Sequence, residues 1–156
     1  QTDTITPAHE HFISFLIKQK LLINTEALQT KPPSNHDKIF VLFLPMNEIH
    51  ELGLMYLNYE ILYNGYKSIY LGESVPLDNL KDIKRYFDNI IFVSYLTVQP
   101  DKNEINNYIE RMNKEVINNN NCELWLIGRM LEHVNEDILN PRTSLFYSIS
   151  DLVNKL

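Results

Sequence analysis

Glu48 and His50 stand two positions apart, with Gly53 three positions further on, just past the apolar run Ile39-Phe40-Val41-Leu42-Phe43-Leu44. This pattern can do metal chemistry. One ring nitrogen of a histidine ligates a metal while a carboxylate on the other fixes the tautomer and raises the ligand's basicity. In an open α/β sheet the crevice beyond the carboxyl ends of the strands is where ligands bind. A histidine at a strand-to-helix junction can equally cap or pack, so the pair alone leaves both readings open.

The ends of the other apolar runs extend the same rim. Gly72-Glu73-Ser74-Val75-Pro76 follows the second run, Ser94-Tyr95-Leu96-Thr97 the third, and Gly128-Arg129 the fourth. Small residues at strand ends leave room for a ligand to slide between sheet and helix, where larger side chains would fill the slot.

The elements that must position these residues are legible as an alternation. Strand-like runs fall near 39–44, 67–71, 90–94, 122–127 and 143–147, and helical runs near 49–64, 77–87, 102–118 and 149–155. Strands separated by helical stretches of this length imply βαβ units and a parallel sheet. The expected fold class is α/β, a flavodoxin-like doubly wound five-stranded sheet in the order 2-1-3-4-5. Asn64-Gly65 reads as a helix stop, and Asn118-Asn119-Asn120-Asn121 as the turn before the fourth strand. A helix precedes all this: Thr6 as N-cap, Pro7 at its first position, Glu10 near its positive end, and Phe12, Phe15, Leu16 and Leu22 as a buried stripe running down to about Leu28. The polar, doubly proline-bearing stretch Gln29–His36 separates it from the rest, giving residues 1–30 as a helical cap and 37–156 as the α/β domain.

Composition bounds the function. The chain has 156 residues, 44% hydrophobic and 22% charged, enough for one proper core, and no apolar run long enough for a membrane span. The net charge of −6 suits a phosphate backbone poorly, and Lys81, Lys84 and Arg85, interrupted by Asp82, read as a solvated helix face. Cys122, the only cysteine, lies in a strand-like run and reads as a packed thiol, and a cytoplasmic protein without disulfides is expected. His9 and His36 read as surface residues and His133 as structural. Trp125 falls in a core strand, and Tyr56, Tyr59 and Tyr63 on one helix face suited to packing or a subunit interface.

Taken together, Glu48-X-His50-X-X-Gly53, Ser94-X-Leu96 and Gly128 resemble the cobalamin-binding signature of acid-X-His-X-X-Gly, Ser-X-Leu and Gly-Gly, at the spacings of that family. The text around them, His50-Glu51-Leu52-Gly53-Leu54 and Tyr70-Leu71-Gly72-Glu73-Ser74-Val75-Pro76-Leu77, is similar to the carboxyl-terminal sensor of bacterial MerR-type transcriptional regulators, in particular the light-responsive, adenosylcobalamin-dependent repressors. The resemblance covers essentially the whole chain. It implies that His50 replaces the nucleotide base of adenosylcobalamin or methylcobalamin as the lower axial ligand of cobalt, with Glu48 on its other ring nitrogen. Gly53 would let the displaced tail pass close to the helix. Ser94 would bond the tail's base, Leu96 and Thr97 would line the slot, and Gly128 would relieve crowding near the ribose and phosphate. Glu10-His11 matches the pair that covers the upper corrin face from the last helix of an amino-terminal bundle, of which the first helix here would be the remnant.

Two positions depart from the pattern. Arg129 stands where the second glycine belongs, able to crowd the tail or pair with its phosphate. The tryptophan and histidine that light-responsive relatives carry upstream of the Glu-His pair fall at or before Gln1. The resemblance implies a non-enzymatic sensor and oligomerisation module acting as a homo-oligomer, with DNA contacted by a helix-turn-helix domain lying outside this sequence. A corrinoid carrier domain of a methyltransferase and a cofactor-free oligomerisation module are the alternatives. A phosphorylated receiver is disfavoured, because Ser94 stands where its aspartate would be.

Overall fold

The computed structural model describes residues 6–118 and 121–156. Helix α1 (Pro7–Gln29) leads into β1 (Asn35–Phe43), α2 (Leu52–Tyr63), β2 (Tyr66–Gly72), α3 (Leu77–Ile83), β3 (Ile90–Tyr95), α4 (Ile105–Glu115), β4 (Cys122–Ile127), two 3-10 turns (Arg129–His133 and Glu136–Ile138), β5 (Thr143–Phe146) and α5 (Ile149–Val153). The strands form one parallel sheet, as the alternation of apolar runs predicts, in the order β2-β1-β3-β4-β5 expected of a flavodoxin-like fold. Helices cover both faces, which is why the central strands read as unbroken apolar runs instead of alternating ones. Ile39, Val41 and Phe43 face a core shared with α3 and α4, while Phe40, Leu42 and Leu44 face one shared with α2 and α5. Trp125 is buried in the second core, with its ring 5.6 Å from that of Phe40. Cys122 is buried, and burial pushes its thiol up, away from the reactive range.

Several expected boundaries shift. Helix α2 starts at Leu52 instead of residue 49, because the N–H groups of Ile49 and His50 turn onto the Glu48 carboxylate before the helix can begin. Strand β1 begins at Asn35, so His36 is a strand residue, though an exposed one. Of the four-asparagine turn, Asn119 and Asn120 lie outside the described residues, as does Gln1. Asn64-Gly65 does end α2, with Gly65 at φ +81°. The Lys81, Lys84 and Arg85 cluster is partnered at the surface: Lys81 pairs with Asp78 and Glu115, Arg85 with Asp82, and Lys84 donates to the Val116 carbonyl and to Asn118.

The largest correction concerns α1. No residue of this helix is buried, and Phe12, Phe15 and Leu22 are each at least 60% exposed. The helix lies along α2 through Ser14, Lys18, Leu21, Thr25 and Leu28, a face at spacings of four and three. The apolar stripe stays largely exposed, with Leu16 and Leu22 only bordering shallow clefts beside α2. Tyr56, Tyr59 and Tyr63 stack at 6.4 and 6.0 Å along α2, with Tyr56 and Tyr63 exposed, so they are not core residues.

Gly128 ends β4 at φ +124°, and a Cβ placed there would collide with the carbonyl of Leu96 and stand 2.8 Å from its backbone nitrogen. The same Leu96 donates its N–H to Ile127 and accepts one from Met130, so it cannot retreat. Gly128→Ala is therefore expected to cost about 3 kcal/mol, a fall of roughly 6–12 °C in thermal midpoint measured by circular dichroism.

Candidate functional site

Glu48 organises the carboxyl edge of the sheet. Its side chain is fully buried just after β1, in a turn in which Asn47 takes the left-handed conformation at φ +66°. One carboxylate oxygen accepts from the backbone N–H groups of Ile49 and His50, each at 3.0 Å. The other accepts from Thr97, Val98 and Gln99 at 3.2, 2.6 and 2.8 Å. The β1–α2 and β3–α4 loops are thus tied together through one side chain. Burial pushes the Glu48 pKa up, but the N–H groups of Gln99, Val98 and His50 and the His50 ring outweigh it and hold the carboxyl at about 2.

His50 Nδ1 lies 2.6 Å from the Glu48 oxygen that the two local N–H groups also bind. An ionised carboxylate can only accept, so Nδ1 carries a proton, and in the neutral ring the lone pair is then on Nε2. The ring is about half exposed and opens into a cleft of about 520 Å³. The cleft is walled by Ile49, Leu52, Gly53, Tyr95 and Thr97 on the α/β side and by Glu10, His11, Ser14 and Lys18 from α1. Geometrically, the arrangement offers one fixed imidazole nitrogen to whatever enters.

Of the residues singled out in the sequence, His50, Gly53, Thr97, Glu10 and His11 border this one cleft, and Glu48 lies buried behind it, bonded to His50 and to Thr97. Glu10 and His11 contact each other at 3.3 Å and are well exposed. Leu96 and Gly128 do not border it. They pack backbone to backbone behind the rim, with Leu96 buried among α3 and α4 residues. Ser94 is completely buried, and its hydroxyl has no hydrogen-bond partner among the described residues. Arg129 is exposed at the start of the first 3-10 turn.

Sequence reasoning missed three participants. Lys18 of α1 donates to Glu51 at 2.8 Å, and the Tyr70 hydroxyl donates to the other Glu51 oxygen at 3.2 Å. Burial, then the Glu51 charge, pushes the Tyr70 pKa up, so it stays a donor. This bridge pins α1 beside His50. Glu51 is next to the histidine in sequence, and that adjacency was the available signal. The third is Tyr95, passed over as the unspecified middle residue of Ser94-X-Leu96. Lys18→Ala should cost no more than about 1 kcal/mol of global stability, because the pair is part-exposed, while raising amide exchange selectively in α1. Hydrogen exchange with mass spectrometry would read this directly.

No family model matches the sequence, and no curated protein matches it. Solved structures do resemble it. A monomethylamine corrinoid protein of Methanosarcina barkeri superposes with a TM-score of 0.62 at 14% identity, over 86% of this chain and 62% of that one. The methanol:cobalamin methyltransferase complex of Methanosarcina barkeri gives 0.58 at 16%, over 74% of this chain and 43% of that one. A cobalamin-binding protein of Desulfitobacterium hafniense gives 0.57 at 14%, over 88% and 68%. The chain thus spans less than two thirds of the first of these proteins, and it has the parallel five-stranded α/β fold that matches theirs.

Proposed function

We propose that this chain is a corrin-binding module in which His50 Nε2 is the lower axial ligand of a cobalamin's cobalt. The observation that carries the reading is the 2.6 Å contact between His50 Nδ1 and a carboxylate held ionised by five backbone N–H groups. That arrangement presents one basic nitrogen, oriented and half exposed, to an open cleft. The buried Ser94 hydroxyl, without a hydrogen-bond partner among the described residues, lies outside this cleft and adds nothing to the fit. When bound, the corrinoid supplies a cobalt whose upper ligand can be exchanged or cleaved. The protein's part is to orient the imidazole through Glu48 and to set Glu10 and His11 of α1 across the cleft.

The finer reading is a regulatory module of a bacterial MerR-type regulator that binds adenosylcobalamin or methylcobalamin. In it, cofactor binding shifts a homo-oligomer equilibrium, with DNA contacted by a helix-turn-helix domain outside this sequence. The sequence resemblance supports it, as do the uncovered apolar stripe of α1 and the seating of that helix against the cleft. A ligand moves such an equilibrium only through different affinities for the two assemblies. The names of the structural neighbours favour a second reading, a corrinoid carrier domain that works with a methyltransferase. Both readings require corrin binding, so incubation with hydroxocobalamin followed by desalting tests them together. Retained colour with a shifted visible spectrum is expected, and colourless protein rejects both. Sedimentation with and without adenosylcobalamin then separates them, an unchanged mass distribution despite binding removing the regulatory switch.

A further inference from the structure

Tyr95 stands at the end of β3 between Ser94 and Leu96, yet it does not share their side of the sheet. Along β3, Ile90 and Phe92 enter the core under α3 and α4, where Leu96 also packs, whereas Ile91, Val93 and Tyr95 pack toward α2 and α5. On that side the Tyr95 ring lies directly on Gly53, the first-turn glycine of α2. A Cβ placed at residue 53 would stand 2.5 Å from Cε2 and 2.8 Å from Cδ2 and Cζ of the ring. The bareness of Gly53 therefore accommodates the tyrosine, and the ring fills space beside the helix that a ligand group could otherwise enter. The ring also lines the His50 cleft, is only partly buried, and its hydroxyl makes no hydrogen bond among the described residues. Nothing polar anchors it in place.

Resting on the corrin reading above, we propose that Tyr95 is a specificity-determining residue that plugs the space beside Gly53 and selects corrinoids without an inserted nucleotide tail. A cobinamide, which lacks the nucleotide, asks only for the His50 nitrogen and room for the macrocycle. A complete cobalamin must also lodge its displaced base, and along Gly53 the tyrosine ring bars the way. In free cobalamin the tethered base competes with His50 for cobalt, which favours cobinamide whether or not Tyr95 is present. The informative quantity is therefore how the cobinamide-to-cobalamin affinity ratio responds to residue 95.

Titrations of the chain with diaquocobinamide and with hydroxocobalamin, followed by visible absorbance and by retention on desalting, measure that ratio. In Tyr95→Ala the preference for cobinamide should narrow at least tenfold, chiefly through tighter cobalamin binding. Tyr95→Phe keeps the ring and should keep the wild-type ratio. Tyr95→Leu retains apolar contact with the α2 core while shortening the plug, and should narrow the preference in part even if the alanine variant folds poorly. An unchanged ratio in the opened variants, with both corrinoids bound, overturns the plug and leaves the corrin reading standing. A wild-type protein that prefers cobalamin also overturns it. If neither corrinoid binds any of these proteins, the corrin reading falls and the plug with it.

Discussion

His50→Ala is expected to weaken hydroxocobalamin binding roughly 100-fold or more, at least as severely as losing a partner of a metal ligand does. The visible band shift that accompanies imidazole ligation should disappear with it. Stability should fall less than in Glu48→Gln. The ring is half exposed, and Glu48 keeps all five backbone donors when the imidazole is gone, so only one charge-assisted hydrogen bond is lost, about 1–2 kcal/mol. Added free imidazole should restore part of the band. Unaltered spectrum and affinity in the variant would show that the ring is not the ligand.

Glu48→Gln should do the opposite, damaging the fold as much as the site. The amide nitrogen of glutamine brings donors to a pocket already crowded with N–H groups, and it leaves several of them without a charged acceptor. We expect a loss of about 3–5 kcal/mol, the range for breaking a buried charged network, together with a 10- to 100-fold loss of corrinoid affinity. The change also has a pH signature. Glu48 titrates at about 2 in the folded chain against an ordinary value of 4.5. Its folded pKa is depressed, so its contribution is complete above about pH 4.5 and disappears as the pH falls toward 2. The shift corresponds to about 3 kcal/mol. Asp78 and Glu115 are also held low by Lys81, so the wild type alone cannot isolate Glu48. The difference between wild type and Glu48→Gln can: the gap in thermal midpoint should close progressively between pH 5 and about pH 2. A gap independent of pH would show that Glu48 acts through packing and not through its charge.

Much of this architecture was legible in residue order. The buried strands announce themselves as apolar runs, and Asn64-Gly65 and Pro76 punctuate the helices between them, so a parallel sheet and the fold class follow from spacing, while the strand order comes from the usual order of that class. The Glu48–His50 contact was legible too, because a side chain reaching two residues along a turn needs no knowledge of the fold. What stayed hidden involved distance along the chain. That Thr97, Val98 and Gln99 would aim their N–H groups at a carboxylate some fifty positions earlier has no signature in a local pattern. The α1 stripe misled for a related reason: periodicity reports that a helix has an apolar face, not that this chain supplies the surface to bury it. Tyr95 was overlooked because a motif with an open middle position invites the eye to skip it.

The Lys18–Glu51–Tyr70 bridge carries a consequence for anything that touches α1 from outside. Glu51 is peptide-bonded to His50, so the bridge is one of the contacts through which the helix and the imidazole are connected. By thermodynamic reciprocity, if closing the helix over the cleft tightens its hold on an occupant, then an external grip on the helix tightens that hold by the same factor. A neighbouring surface resting against Phe12, Phe15 and Leu22 would act as a remote hand on the ligand, without approaching the chemistry at all.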